Sequence, residues 1–519
     1  MFSDGIWVEN FGKLSHLYRR ISSLCTYLRN ARNNYAALGG NRDFGTQPST
    51  EQRDRKAALD RLNSEANLFN TSSTSYSVSI TTTEDTVFEY HWTAPNVNTT
   101  VGVSEVNGDT VYRIFSVTKL FTVLSALLQE GLDIDDLVSK HVPQLEGSKN
   151  FENTTLRMLA SHLSGAPRDE FLEGALISNY VWLVGRTPAY SNYAFVILGY
   201  AIESFTGKSL RDVIADSITG PLGLSSATGL DSQDASLMVI PGEVDHFGTQ
   251  DIGEWNGTAG MFSTPKDLAR FVRGLLNNEL LSSTDMAKWL KPASFTSSSK
   301  GEAVGMPWTV LRPTSLGLDS GERPVDIYTM PGGQGYYNAY AAIIPEYQLG
   351  YTVNVAGVGD DPALRALLDH LVRYSVPHFD TVGREQVAEN YAGRYGSGES
   401  AIELVVDDGP GLKVKSWTTG GKAVSDAWVE FFGSAALNAV DADVRIYPIG
   451  ADNRWRVAFR GISDMNSTGI FEDACYTWFS HGAWLYAGLS VDEMVISLGE
   501  NGTATMVSVP GLRQNLARS

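Results

Sequence analysis

The 519-residue sequence predicts an α/β fold, an antiparallel sheet carrying an inserted helical lobe, followed by an antiparallel all-β domain. Three observations predict it. β-rich runs stand at both ends of one segment: "SYSVSITTT" (75–83) with "TVFEYHWT" (86–93), then "YNAYAAIIP" (337–345) with "LGYTVNVAG" (349–357). Between them, from Thr110 to about Leu290, the pattern is mostly helical with Gly and Pro punctuation. After about residue 385 come short runs at regular spacing, "YAGRYGSGESAIELVVDD", "GLKVKSW", "WVEFFG", "DVRIYPIG", "RWRVAFRG" and "EMVISLG", separated by Gly, Asp and Asn turns. Those read as strands of a sandwich or barrel of about 130 residues. The expected divisions are 1–74 for an N-terminal helical extension and linker, 75–384 for the α/β domain and 385–519 for the β domain.

In chain order, Leu14, Leu17, Ile21, Leu24 and Leu28 recur at helical spacing, with Arg19, Arg20, Arg29 and Arg32 between them. This amphipathic basic helix packs on its own protein or across a dimer; a membrane surface or an import receptor is the alternative. "GGNRDFGTQPSTEQRDRK" (39–56) is a polar linker. The first two β-rich runs form a hairpin across "ED", and the last two form another across "EYQ". Joining the ends of the segment in one sheet encloses the helical lobe between them.

Composition narrows the function classes. With 43% hydrophobic and 19% charged residues the chain is an ordinary soluble globular protein. A formal charge of −19 excludes a sequence-independent nucleic-acid binder, which needs a basic face. The apolar stretch Leu120–Leu128 is too short to cross a bilayer. Two cysteines, Cys25 and Cys475, make neither a disulfide framework nor a four-thiolate metal site. No secretory signal is readable, so a cytoplasmic location is expected; the six sequons at Asn70, Asn98, Asn153, Asn256, Asn466 and Asn501 carry the alternative of a secreted, glycosylated form. A homo-oligomer is compatible with all of this.

Chemistry enters at "YRIFSVTKLFTVLSALLQEG" (112–131). Ser116 and Lys119 lie three residues apart and so share one helix face, while Leu120, Val123, Leu124 and Leu127 bury the other side. Burial penalises an ammonium, and an amine tuned toward neutrality accepts a serine proton. Ser-x-x-Lys is thus a nucleophile with its own base. Ser263–Lys266 and Ser297–Lys300 repeat the spacing. The first of these reads as a capped helix start with Pro265 in its first turn, and the second as a polar loop. In "AYSNYAFVILGYAIE" (189–203), Tyr190 is a candidate for proton relay, with neighbouring ammonium groups expected to lower its pKa, and Asn192 for holding the lysine or an acyl group, or else the two serve for packing and a helix cap. Tyr336-Tyr337-Asn338 fits Tyr-x-Asn equally well.

Context distinguishes them. A Ser-x-x-Lys helix, then Tyr-x-Asn, then a Gly-rich strand resembles the serine β-lactamase and penicillin-recognising family, in particular its class C-related branch of esterases, D-amino-acid-processing peptidases and acyltransferases. "LRMLASHLSGAPRD" (156–169), "TGKSLRDVIADSITGPLGL" (206–224), "TAGMFSTPKDLARFVRGLL" (258–276), "GMPW" (305–308) and "VDIYTMPGGQGYYNAYAAIIPEYQLGYTV" (325–353) match further landmarks in order, over about residues 75–375. With a β domain beginning "YAGRY", the chain is similar to fungal β-lactamase-like proteins, a branch that suggests a place in fungal secondary metabolism. The resemblance implies a β-lactamase/transpeptidase-like fold with Ser116 as the acylated nucleophile, Lys119 as its proton acceptor, Tyr190 as general acid/base and Asn192 as a positioning group. It also implies an oxyanion hole from the N–H groups of Ser116 and Gly333, with Gly332 beside it.

Two departures bear on substrate. Where the family has Lys-Thr/Ser-Gly or His-x-Gly, this chain has Met330-Pro331-Gly332, which removes a cation and a hydroxyl that bind carboxylates. Before the nucleophile, where Gly or Ala is common, stands Phe115, a ring expected to line or narrow the acyl pocket. A small-molecule acyl substrate is expected, a neutral or hydrophobic ester, thioester or amide rather than a β-lactam. The enzyme would be a serine hydrolase or acyltransferase. The rival is a binding or scaffold protein that kept the fold and lost activity, for which Met330-Pro331 argues. Neither a Gly-x-Ser-x-Gly elbow nor a His-Glu-x-x-His helix occurs, "TGKS" lacks the first phosphate-loop glycine, and His162 reads as a packing or hydrogen-bonding residue of its turn. No metal or nucleotide cofactor is implied.

Overall fold

The computed structural model describes residues 70–149, 151–169, 184–242, 248–297, 301–318, 323–357, 361–433, 440–449, 453–462, 481–482 and 484–519. The expected N-terminal helix and linker, Cys25, Asn466, Cys475 and Lys300 lie outside the described residues. The described chain forms two compact units, one reaching Thr314 and including Pro324–Ser375, the other made of Ser315–Arg323 and Val376–Ser519.

The first unit is an antiparallel sheet of eight strands. In chain order they are β1 (Ser75–Thr81), β2 (Thr86–Trp92), β3 (Ser294–Phe295), β4 (Glu302–Val304), β5 (Thr309–Leu311), β6 (Ile327–Gln334), β7 (Tyr337–Ile344) and β8 (Leu349–Ala356). Their spatial order is β2-β1-β8-β7-β6-β5-β4-β3. The two hairpins read from sequence are both present, and β1 closes on β8 with Ser75 opposite Ala356 and Thr81 opposite Gly350. Every residue of β8 is buried, because both faces are covered. On one face Gly350 lies against Val272 of α3 (Pro265–Leu276), and on the other the Tyr351 hydroxyl shares a 2.7 Å hydrogen bond with Ser375. Two-sided burial explains why this strand reads as a continuous apolar run instead of an alternating one.

The helical lobe carries α1 (Thr118–Leu127) and α2 (Tyr193–Thr206) in one apolar core. Phe121 of α1 is fully buried and stacks on Phe271 of α3, ring centroids 4.0 Å apart. The start of α1 is fixed by polar contacts to the segment 257–263. Thr118 Oγ1 accepts from Met261 N at 3.1 Å, Thr122 Oγ1 donates to the Gly257 carbonyl at 2.6 Å, and Tyr112–Arg113 pairs with Phe262–Ser263. As read from sequence, Ser263–Lys266 is a helix start: Thr264 caps α3 by accepting from Asp267 N, and Pro265 follows.

The division between units falls inside α4 (Asp361–Asn390), a helix that the sequence reading did not assign. The second unit resolves the choice between sandwich and barrel. Its strands are β9 (Gly393–Ser397), β10 (Ser400–Val405), β11 (Leu412–Thr419), β12 (Lys422–Ala423), β13 (Asp441–Pro448), β14 (Arg454–Ile462), β15 (Glu493–Leu498), β16 (Ala504–Val509) and β17 (Gln514–Arg518). Their order is β10-β9-β17-β16-β15-β14-β13-β11-β12, and β10 also pairs with β11, so eight strands close a barrel and β12 is an appendix. Tyr395, Ile402, Ile446, Val457, Ile496 and Val507 fill its core. "WVEFFG", read as a strand, is helical instead: Val424–Trp428 is an α-turn continued by a π-turn, and Trp428 stacks on Phe459 at 5.3 Å. Burial of one aromatic ring drives both outcomes, so a short aromatic run does not distinguish them. Among the described residues no helix is long and apolar enough to cross a membrane.

Phe121→Ala should lower unfolding free energy by about 3–5 kcal/mol, the range for emptying a packed aromatic site. Urea titration of the full chain measures it. A loss under about 1 kcal/mol would mean that the Phe121–Phe271 stack does not hold α1 in place.

Candidate active site

Ser116 sits in a short 3-10 turn (Phe115–Val117) that runs into α1, so its side chain stands at the helix mouth and Lys119 lies one turn on. The residue before it bends the chain sharply. Phe115 has φ +42°, a left-handed conformation that costs a bulky residue about 1–3 kcal/mol. Its ring is only 3% exposed and packs with Tyr112, Met238, Phe262 and Tyr337. Phe115 therefore does not line an open acyl pocket, contrary to the sequence expectation. It is an anchor that holds the strained turn from below.

Lys119 is completely buried, yet all three donors of its ammonium have acceptors. Nζ lies 2.9 Å from Ser116 Oγ, 2.8 Å from Asn192 Oδ1 and 2.9 Å from the Thr258 carbonyl. Desolvation holds its pKa well below the usual lysine range; Asp169 opposes that shift and Arg168 adds to it. The partners set the direction of proton transfer. Asn192 Oδ1 and the Thr258 carbonyl can only accept, so a neutral amine spends its two N–H groups on them and turns its lone pair to Ser116.

Tyr190 Oη donates to Ser116 Oγ at 2.8 Å. The Tyr190 side chain, 38% exposed, lies at the rim, with Lys119 Nζ 5.1 Å and the Arg168 guanidinium 5.4 Å from its ring centroid. Neighbouring cations, expected from the sequence to lower its pKa, do not decide it. Instead desolvation raises it, outweighing the Ser116 hydrogen bond and Arg168, so the phenol stays a proton donor. The competing Tyr-x-Asn at 336–338 runs into β7, where Tyr337 Oη donates to the Val239 carbonyl at 2.8 Å. It does not supply Lys119's amide partner.

Two loops hold Tyr190 and Asn192. His162 Nδ1 accepts from Ser191 N at 3.2 Å, the His162 carbonyl accepts from Ala189 N at 2.9 Å, and Ser191 Oγ donates to the Pro167 carbonyl at 2.6 Å. The Arg168 carbonyl accepts from Asn192 N at 2.8 Å. The His162 ring packs on Tyr190 at 4.5 Å; burial, with Lys119 nearby, pushes its pKa down to about 3, so it stays neutral and structural. Thr258 Oγ1 donates to the Asn192 carbonyl at 2.5 Å.

On the opposite side stands β6. A Cβ on Gly332 would lie 2.7 Å from Ser116 N and 2.8 Å from Val117 N, so only glycine lets this strand approach the nucleophile. Gly333 follows, opposite Asn338 of β7. Met330 is buried in the main core, an apolar side chain where the resembled family has a cation or histidine. Pro331 is tolerated because β5 pairs β6 only through Thr329, leaving the rest of β6 bonded on one side.

The structure thus brings Ser116, Lys119, Tyr190 and Asn192 into one hydrogen-bonded cluster and sets Gly332 against it. Sequence reasoning missed Thr258 and Asp169 as members. Asp169 Oδ1 accepts from Asn192 Nδ2 at 2.6 Å, and the only sequence signal was its place in "LSGAPRD". Among the described residues there is no cluster of His, Cys, Asp and Glu fit to hold a metal.

Comparison with known proteins identifies the family. The family profile described as Beta-lactamase matches residues 37–373, and the one described as "Beta-lactamase-like-like, C-terminal domain" matches 383–519. The chain is 26% identical to a beta-lactamase-like protein of Arthroderma benhamiae, over 85% of this chain and 87% of that one. It is 26% identical to the probable hydrolase M10 of Phoma sp., over 68% and 67%. To the D-alanyl-D-alanine-carboxypeptidase/endopeptidase AmpH of Escherichia coli it is 28% identical, over 48% and 71%. Among solved structures, a class C beta lactamase from Rhodobacter sphaeroides superposes with a TM-score of 0.50 at 20% identity, covering 63% of this chain and 99% of that one, a likeness of fold. With its profile spanning well over half of the residues, the chain belongs to the beta-lactamase family.

Proposed function

We propose that the protein is a serine hydrolase or acyltransferase that works through an acyl-Ser116 intermediate on a neutral or hydrophobic ester, thioester or amide. The observation that carries this reading is the buried Lys119, held by two obligate acceptors so that its neutral form faces Ser116. In the forward step Ser116 Oγ bonds to the acyl carbon while its proton passes to Lys119 Nζ. The bond to the leaving group then breaks as Tyr190 Oη protonates the departing atom, and the proton held on Lys119 Nζ restores the phenol and leaves the amine neutral again. Water or another nucleophile attacks the ester by the same path in reverse. The N–H groups of Ser116 and Gly333 are the proposed oxyanion donors, each worth about 2.7–4 kcal/mol in such sites.

Met330 supports the choice of substrate class. A thioether in the core offers no charge to a carboxylate, and an anion loses a charge-assisted hydrogen bond there. The relatives' names agree with hydrolysis at the coarse level.

Incubation with a fluorophosphonate should add one adduct to Ser116 by intact mass, absent in Ser116→Ala. Turnover of p-nitrophenyl esters or thioesters should fall at least about 10³-fold in that variant. Lys119→Met should cost about 10²–10⁴-fold in kcat with the fold retained, and wild-type kcat/KM should rise with pH as the Lys119 amine loses its proton. A folded wild type that takes no probe and turns over no donor would favour the binding-protein reading.

Gly332→Ala should lower kcat by about 10²-fold, because the new methyl pushes β6 away from the nucleophile turn by a few tenths of an ångström or more. Steady-state kinetics beside a thermal melt checks it; unchanged kcat would remove β6 from the catalytic geometry.

A further inference from the structure

Arg168 and Asp169 put two opposite charges at the rim of the site, and the catalytic cycle above uses neither. Their mutual contact is loose: Arg168 Nε lies 3.3 Å from Asp169 Oδ2, with side chains 71% and 56% exposed. A pair so exposed contributes about 0–1 kcal/mol to stability, so stability does not account for the geometry. The closer bond runs inward, from Asn192 Nδ2 to Asp169 Oδ1 at 2.6 Å, and the same amide's Oδ1 faces Lys119 Nζ at 2.8 Å.

An amide has a donor end and an acceptor end of almost equal size, so its orientation is decided by its neighbours. A carboxylate accepts only. It draws the NH₂ end of Asn192 outward and leaves the oxygen pointing at the lysine. Flipped, the amide would set its own donors against the Lys119 donors. Resting on the acyl-enzyme reading above, we infer that Asp169 is a positioning residue that fixes the Asn192 amide and through it aims Lys119 at Ser116, with the Arg168 guanidinium as its counter-charge.

Among the described residues, the charges that act on Lys119 are those of Asp169 and Arg168. Ser116 on the preceding turn, Asn192 at the start of α2, the Thr258 carbonyl and Tyr190 touch or flank it, and His162 beneath Tyr190 is neutral. Asp169 favours the protonated amine and Arg168 disfavours it. On Tyr190 the same two act in the same sense, Asp169 raising and Arg168 lowering the phenol. The two side chains therefore pull in opposite directions on both proton-carrying groups.

The test uses the full chain with Asp169→Ala, Asp169→Asn and Arg168→Gln. Asp169→Ala should lower kcat by about 10- to 100-fold with little change in KM, the scale of one lost charge-assisted hydrogen bond. Asp169→Asn can still accept from Asn192 and should keep kcat within a few fold. Both Asp169 variants should move the acid limb of kcat/KM to lower pH, and Arg168→Gln should move it to higher pH. NMR titration of ¹³C-lysine-labelled protein, with Lys119 assigned through Lys119→Met, should show the same opposite displacements without any turnover. Displacements in one direction for both charges, or none, would overturn the inference. A wild type inert to every acyl probe would sink the hydrolase reading, while the Lys119 titration would still decide whether Asp169 and Arg168 set its proton affinity.

Discussion

A single buried ammonium organises this protein's first unit. Taking a lysine out of water costs several kcal/mol unless every donor finds an acceptor. Lys119 finds three, and each comes from a different part of the chain: the turn before α1, the start of α2 and the segment ending at Thr258. Chain segments separated by 66 residues or more are obliged to converge on one nitrogen. The apolar core around Phe121 and Phe271 supplies the energy that makes this convergence possible. Site and fold are one construction: moving any of the three elements leaves a charge buried without a partner.

Around that nitrogen the backbone is under tension on one side and stripped bare on the other. Phe115 adopts a left-handed φ and is held there by an apolar cluster of its own. Gly332 gives up its side chain so that a strand can pass within contact of the nucleophile's amide. Strain of this kind persists only where packing over-determines it. Here the over-determination is visible in the ladder between Tyr112–Arg113 and Phe262–Ser263 and in the bond from Ile114 N to the Met261 carbonyl.

The sequence announced the parts of this arrangement that depend on local pattern. The spacing of Ser116 and Lys119 on an otherwise apolar helix, the two hairpins and the short strands of the barrel all follow from period and turn chemistry. What depends on tertiary context was not legible. Phe115 looked like a pocket wall, because nothing in one dimension says that its ring turns inward. Two Tyr-x-Asn triplets were equivalent as text, and order along the family pattern, not spacing, favoured the first. Desolvation of the Tyr190 hydroxyl reversed the expected direction of its proton affinity. Thr258 contributes through a backbone carbonyl, which every residue has, and Asp169 through a contact with a side chain 23 residues away. "WVEFFG" satisfied the composition of a strand and folded as a helical turn. The helix Asp361–Asn390 passed unassigned, since its apolar stripe is diluted by polar residues and interrupted by Pro377.

The closure of the barrel has its own consequence. A strand with an unpaired edge is an invitation to any extended segment that can complete its ladder. By joining β10 to β11, the second unit withdraws that invitation where its eight principal strands are paired; among the described residues the two-residue β12 and the short hairpin of Leu485–Tyr486 with Leu489–Ser490 stand outside the ring. Where a strand is paired on both sides, only its side chains and the loops are left to meet another molecule. A substitution in a barrel loop therefore alters that outer surface without unpicking the strands beneath.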